Sequence, residues 1–144
     1  MDRNWSTVTV IIDTNVVAYY LLGTEPFVAE VRQFWQTVAE ASAPAHWEAE
    51  LVNAIWMAIR TGVLPRQEGH QKLDMAARLG IRSISIRSLW QRALTRAVDS
   101  DAAVYDTLFV ELAARQNLFL ATFDKNLLTK FPEIAKRPGS LRPN

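Results

Sequence analysis

The sequence predicts an α/β fold with a mostly parallel central sheet flanked by helices. Three observations indicate this. Residues Val8–Ile12 form an apolar run rich in β-branched side chains, which is typical of a strand covered on both faces. A second short apolar run spans 118–122. Between the two runs, segments with helical periodicity alternate with short extended ones, as in parallel sheets whose strands are joined by helices.

The first half of the chain contains three predicted helices and one extended segment after the first strand. In order, these are a helix over 16–22, a helix over 27–41, an extended segment over 42–44 and a helix over 47–60. Gly23 ends the first helix and Pro26 opens the second, whose apolar stripe reaches Val38.

The helix over 47–60 has almost no polar face after Glu50. A helix that is apolar all round is buried on several sides. We therefore expect this helix to be covered on several sides and to form a subunit interface.

The second half repeats the alternation of helices and strands. The predicted elements are a helix over 65–79, a strand over 81–86, helices over 88–98 and 101–115, a strand over 118–122 and helical turns over 127–134. We expect Ser88 to cap the first helix of the adjacent pair, and Asp99 or Ser100 to cap the second. The tail, 137–144, is predicted to be a weak strand or frayed.

Composition bounds the kind of protein. The chain has 144 residues, 49% hydrophobic and 22% charged, which is enough for one well-buried core, so we expect a single domain over 1–144. A net charge of +1 leaves nucleic-acid binding to a local patch. The absence of cysteine excludes disulfides, thiolate zinc sites and cysteine nucleophiles. No run is long enough to span a bilayer and the N-terminus is not a signal peptide, so a cytoplasmic location is expected.

Four acidic residues have surroundings that do not suit a solvated charge. Asp13 and Asp124 each follow a predicted apolar strand, Asp106 interrupts the mostly apolar segment 104–110, and Glu50 opens the apolar helix. Carboxylates are seldom buried unless they are paired or bind a cation. If these four converge, each close pair costs roughly 4 kcal/mol at 4 Å in an intermediate dielectric. A divalent cation removes that cost, and oxygen ligands favour Mg²⁺ or Mn²⁺.

Each acid also has a simpler interpretation. Asp13 and Asp124 could serve only as N-caps of the helices that follow them, and Glu50 could be an exposed helix acid. The two histidines, His46 and His70, lie in different segments without ligand spacing, so we interpret them as surface or cap residues.

The motifs around these acids resemble those of PIN-domain ribonucleases, and most closely the VapC-type toxins of toxin–antitoxin pairs. The resemblance follows the chain in order from residue 8 to 128. The matching motifs are Ile11-Ile12-Asp13-Thr14-Asn15, Glu50-Leu51-Val52-Asn53-Ala54, Tyr105-Asp106-Thr107 and Thr122-Phe123-Asp124.

The resemblance implies a PIN-like three-layer sandwich whose acids gather over the carboxyl ends of the central strands. It implies catalytic and metal-binding roles for Asp13, Glu50, Asp106 and Asp124, with Asn15 and Thr122 supporting the pocket. The chain departs from the family pattern at Thr107, where many relatives have Ala, and in a longer N-terminal extension, residues 1–6.

The function implied is metal-dependent hydrolysis of RNA phosphodiesters with Mg²⁺ or Mn²⁺, in a homodimeric toxin held by a cognate antitoxin. Two alternatives within the same fold are a non-hydrolytic Mg²⁺-binding module, similar to a receiver domain, and a PIN scaffold acting through protein partners. Against a receiver domain, no acidic pair lies at the end of the first strand and no lysine lies directly at the end of a late one. A phosphatase of the haloacid dehalogenase type needs a second aspartate at position 15, where this chain has Asn15.

Overall fold

The computed structural model describes residues 7–142, so the predicted N-terminal extension lies outside the described residues. The strands are β1 (Val8–Ile12), β2 (Val38–Pro44), β3 (Arg82–Ile84), β4 (Leu120–Ala121) and β5 (Ala135–Lys136). The helices are α1 (Thr14–Leu22), α2 (Val28–Trp35), α3 (Trp47–Arg60), α4 (Gly69–Ala77), α5 (Trp90–Ser100), α6 (Val104–Gln116) and α7 (Lys125–Lys130).

The described strands form one sheet in the order β3-β2-β1-β4-β5, and every neighbouring pair is parallel. The predicted α/β class with a parallel central sheet is therefore confirmed. β1 lies in the middle of the sheet, where Ile11 pairs with Ser42 of β2 and with Leu120 of β4. Ile11 and Ile12 are completely buried, as expected for a strand with helices over both faces.

Two groups of helices pack around the sheet. Helix α1 contacts α2, α3 and α4, whereas α6 packs on β1 and β2 and also contacts α5. Helix α1 ends as predicted at Gly23, which adopts the left-handed conformation (φ 65°) that glycine tolerates best.

The predicted helix over 27–41 is wrong in its second half. Helix α2 ends at Trp35, and the hydroxyl of Thr37 donates to the Phe34 carbonyl at 2.7 Å where the chain turns. The chain from Val38 to Pro44 instead pairs with β1 as β2. Its small residues Ala41, Ser42 and Ala43 are buried in the sheet, so pairing with the central strand overrides the helical pattern of the sequence.

The predicted caps of the adjacent helix pair are also wrong. The Ser88 hydroxyl donates to the Ser85 carbonyl within a turn, and α5 begins two residues later at Trp90. Asp101 has a positive φ of 51° and ends α5, so neither Asp99 nor Ser100 caps α6.

The remaining differences concern short elements. Helix α4 begins at Gly69 after a single 3₁₀ turn, Arg66–Glu68, and not at residue 65. Toward the C-terminus, α7 ends at Lys130 and so covers only part of the segment predicted to be helical, 127–134, and the edge strand β5 follows directly after that segment. A strand of two residues has no recognisable hydrophobic period, so β5 is defined only by its pairing with β4.

Helix α3 has the predicted boundaries but is not covered on several sides within the chain. Trp47, Leu51, Ile55 and Ala58 are buried, whereas Val52 and Trp56 are each 51% exposed. An apolar strip of α3 therefore faces outward. None of the helices in residues 7–142 is long and apolar enough to cross a membrane.

Candidate active site

The four acids predicted as site residues come from four segments that meet at the carboxyl edge of the sheet. Asp13 directly follows β1, and Asp124 lies three residues after β4. Helix α3 follows β2, which places Glu50 in its first turn, at the same edge. Helix α6 leads back into β4, so its first turn, with Asp106, also lies there. This is the edge at which open α/β sheets bind their ligands.

Asp13 is buried, with only 6% of its surface exposed. One carboxylate oxygen accepts a hydrogen bond from the Thr14 backbone N–H at 2.7 Å, where Asp13 is the N-cap of α1. The other accepts from the Thr122 hydroxyl at 2.7 Å. Asp13 is therefore an N-cap, as its simpler interpretation from the sequence held. Capping uses only one of its two carboxylate oxygens, and the side chain is buried at the end of the central strand.

Thr122 and Asn15 connect the first acid to the last. The Thr122 hydroxyl donates to Asp13 and accepts from the Asp124 backbone N–H at 3.0 Å. The Asn15 side chain accepts from the Phe123 backbone N–H at 3.3 Å and lies 3.5 Å from the Thr122 hydroxyl. These contacts fix the ends of β1 and β4 relative to each other, and the supporting role expected for the two residues stays a prediction.

The other acids are held less tightly. The Thr14 hydroxyl donates to Glu50 Oε1 at 2.7 Å, and the Glu50 side chain is 35% exposed. Asp124 accepts from the Leu127 backbone N–H at 3.0 Å and caps α7. Asp106 is half-buried at the start of α6. The Thr122 hydroxyl therefore links the Asp13 carboxylate to the Asp124 backbone. The hydroxyl of Thr14, which follows Asp13 in the chain, contacts Glu50.

The acids interact strongly enough to change each other's ionisation. Burial, together with the charges of Asp106 and Glu50, raises the pKa of Asp13 to about 7, against the opposing hydrogen bond from Thr122. Burial and the charges of Asp124 and Glu50 likewise raise the pKa of Asp106. Within residues 7–142, the lysine and arginine ion pairs go to Glu30 and Glu111, and none reaches these four acids. The cluster therefore concentrates negative charge without a lysine or arginine partner, although the charge of His46 opposes the rise in the pKa of Asp106.

His46 was interpreted from the sequence as a surface or cap residue, and the structure corrects this. It occupies the position before α3 without capping it, and its side chain is only 9% exposed. Its Nε2 lies 2.9 Å from the Tyr105 carbonyl and 3.9 Å from Glu50 Oε1, and its ring packs on Phe109 at 4.9 Å between centroids. The four-residue spacing from Glu50 was a usable signal, but the contact with α6 could not be read from the sequence.

The chemistry of the cluster fits a hard divalent cation. Its donors are carboxylate oxygens, which suit Mg²⁺ or Mn²⁺, and a cation would neutralise the repulsion that raises the pKa values of Asp13 and Asp106. In residues 7–142, no group of three or more histidine, cysteine, aspartate or glutamate side chains is arranged so that it could hold a metal ion as the side chains stand. The fit therefore rests on donor type and charge.

Thr107, the departure from the family pattern, has a structural role away from the acids. It is completely buried, and its hydroxyl donates to the Ala93 carbonyl of α5 at 2.8 Å. The hydroxyl therefore secures α6 to α5 and adds no group to the acidic cluster.

Comparisons with known proteins agree with this fold. The chain has the same fold as a toxin–antitoxin complex from Klebsiella pneumoniae (TM-score 0.66, 15% identity, covering 90% of this chain and 97% of that one). It is also similar to VapBC2 from Rickettsia felis bound to a DNA fragment from their promoter (0.63, 16%, 90% and 98%). A third similar structure is FitAcB from Neisseria gonorrhoeae (0.60, 17%, 92% and 99%).

Comparison with curated protein sequences gives no match. The family model of the PIN domain, a fold whose members are generally nucleases, matches residues 10–136. This match covers most of the sequence, including all four acids of the cluster. The chain therefore belongs to the PIN-domain family.

Proposed function

We propose that the protein is a metal-dependent endoribonuclease that hydrolyses RNA phosphodiesters as the toxin of a type II toxin–antitoxin system. The observation that carries the proposal is the meeting of four carboxylates from separate segments at one sheet edge without a lysine or arginine partner among the described residues. A purely structural cluster would be expected to contain a compensating cation. A catalytic metal site instead needs carboxylates that no basic side chain already neutralises.

The roles of the residues follow from their positions. Asp13, Glu50 and Asp106 would hold Mg²⁺ or Mn²⁺ directly or through water, and Asp124 would hold a second ion or orient the attacking water. The bound ion would supply a water of lowered pKa and charge stabilisation at the phosphate. Thr122 would keep the Asp13 and Asp124 segments together, because its hydroxyl already contacts both.

An antitoxin partner is part of the proposal. Two solved structures that share this fold are a toxin–antitoxin complex from Klebsiella pneumoniae and VapBC2 from Rickettsia felis bound to a DNA fragment from their promoter. For this chain, a partner segment that places a basic side chain over the acids would offset their mutual repulsion as a metal ion would. Such a segment would compete with the metal and block hydrolysis.

Self-association through α3 is also proposed. The helix presents Val52, Trp56 and Met57 outward, with exposures of 51%, 51% and 41%, and an apolar strip of this kind is typical of an interface. We expect the protein to form a homodimer that Trp56→Glu dissociates, as measured by sedimentation velocity. Val98→Glu, at a 74% exposed position of α5, is the control. Dissociation by the control alone would place the interface on α5.

The test of the nuclease is cleavage of labelled RNA by purified protein in Mg²⁺, Mn²⁺ or EDTA. Asp106→Asn removes one carboxylate charge with little change of shape, so metal-dependent cleavage should fall by roughly a hundredfold or more. The matched control is Asp74→Asn, the same change at an exposed position of α4, which should retain wild-type cleavage.

The outcomes separate the alternatives. Cleavage that needs metal and is lost only in Asp106→Asn supports the nuclease. Equal cleavage in both variants would indicate a contaminating ribonuclease and contradict the assignment. Metal binding without cleavage of any RNA tested would favour the non-hydrolytic binding module.

A further inference from the structure

We propose that His46 is a positioning residue that sets the spacing of Glu50 and Asp106 by joining the start of α3 to the first turn of α6. The inference rests on the proposed function, because it concerns the geometry with which these acids hold a divalent cation. None of the roles proposed for the acids involves this side chain.

The position of the imidazole gives the first argument. His46 lies one helical turn before Glu50, and its Nε2 is 3.9 Å from Glu50 Oε1. The same nitrogen is 2.9 Å from the carbonyl of Tyr105, the residue immediately before Asp106. One side chain therefore contacts the two helices that carry these acids.

The hydrogen-bond chemistry gives the second argument. A carbonyl oxygen can only accept, so Nε2 of His46 must carry the proton in its contact with Tyr105. The other nitrogen, Nδ1, is then left buried, and it has no hydrogen-bond partner in the structure. An unpaired buried polar atom typically reduces stability by about 1–3 kcal/mol. A residue selected only for packing would be apolar here.

The contact of His46 also opposes electrostatic repulsion. Burial raises the pKa of Asp106 most, the charges of Asp124 and Glu50 raise it further by repulsion, and the charge of His46 lowers it. Repulsion of this kind favours separation of the first turns of α3 and α6. The contacts of His46 with the Tyr105 carbonyl and with the Phe109 ring hold α6 in place against it.

The test compares two substitutions at the same position. His46→Leu keeps an apolar contact with Phe109 but removes both the Nε2 donor and the unpaired Nδ1. His46→Gln keeps an N–H group at a similar reach from the backbone. Three quantities are measured on the full chain: the melting temperature in EDTA, the affinity for Mn²⁺ by calorimetry, and RNA cleavage.

The expected result is a separation of stability from metal binding. His46→Leu should melt at or above the wild-type temperature, yet bind Mn²⁺ about 10- to 100-fold more weakly, the usual effect of losing a group that orients a ligand. His46→Gln should recover most of that affinity, and cleavage should follow the affinity in both variants.

Three results would overturn the inference. Unchanged Mn²⁺ affinity in His46→Leu would show that the contact does not position the acids. A fall in melting temperature parallel to the fall in affinity, with no recovery in His46→Gln, would show a role in packing alone. Failure of the wild-type protein itself to bind Mn²⁺ would refute the proposed function, and this inference with it.

Discussion

At the residue scale, Asp13 combines two requirements that conflict electrostatically. Its carboxylate accepts hydrogen bonds from the Thr14 N–H and the Thr122 hydroxyl, both of which favour the charged form. Burial and the charges of Asp106 and Glu50 oppose that form more strongly and raise the pKa to about 7. Relative to the ordinary value of 3.8, ionising Asp13 in the folded protein costs on the order of 4 kcal/mol. A cation bound beside Asp13 would lower this cost of ionisation.

This shift predicts how the stability of the metal-free protein depends on pH. The folded state binds the Asp13 proton more tightly than the unfolded state, so this proton stabilises the folded protein. Its contribution to the free energy of unfolding is fully present below about pH 4 and is lost as the pH rises to about 7. In EDTA, the wild type should therefore lose stability relative to Asp13→Asn as the pH rises from 5 to 8, as measured by denaturant unfolding. Asp74→Asn is the control, and a wild-type difference from Asp13→Asn that does not change with pH would contradict the shift.

At the element scale, the parts of the site that were predictable are those that follow clear apolar patterns. Asp13 and Asp124 were recognisable because each comes just after a buried strand, and α3 was recognisable from its long apolar helix. The first half of β2, residues 38–41, was not recognisable, because its apolar spacing also suits a helix and only pairing with β1 decides between the two. The second half coincides with the extended segment predicted over 42–44. His46 was missed because its role depends on α6, which is distant in sequence.

The pairing of α5 with α6 shows a different use of charge. Glu111 of α6 is 2% exposed, and it accepts hydrogen bonds from the Arg96 and Arg115 side chains, each at 2.8 Å. Although burial opposes ionisation, these two arginines lower the pKa of Glu111. Here a buried acid is compensated by arginines, in contrast to the acids at the sheet edge.

We predict that Glu111→Gln destabilises the protein by roughly 1–3 kcal/mol, because it removes the charge that both arginines contact. The expected loss of stability is smaller than for a fully buried ion pair because Arg96 and Arg115 are partly exposed, at 31% and 41%. Urea unfolding measures the change, with Glu133→Gln at an exposed position as the control. Equal stability of the two variants would show that the ion pairs contribute nothing measurable.

At the scale of the whole molecule, the fold separates its functions by location. The parallel sheet brings the four acids to one edge, residues 10–12 of the central strand are buried, and α3 presents an apolar strip to the outside. The chain belongs to the PIN-domain family, and the toxin–antitoxin complexes share its fold. We propose that a metal or a basic partner segment completes the acidic centre.

Whether the four carboxylates form one divalent-cation site is decided by a calorimetric titration of Mn²⁺. If they do, the wild type and Asp74→Asn should bind Mn²⁺ saturably, and Asp106→Asn should bind it at least about tenfold more weakly. Equal affinity in all three proteins, or no binding by any of them, would contradict such a site.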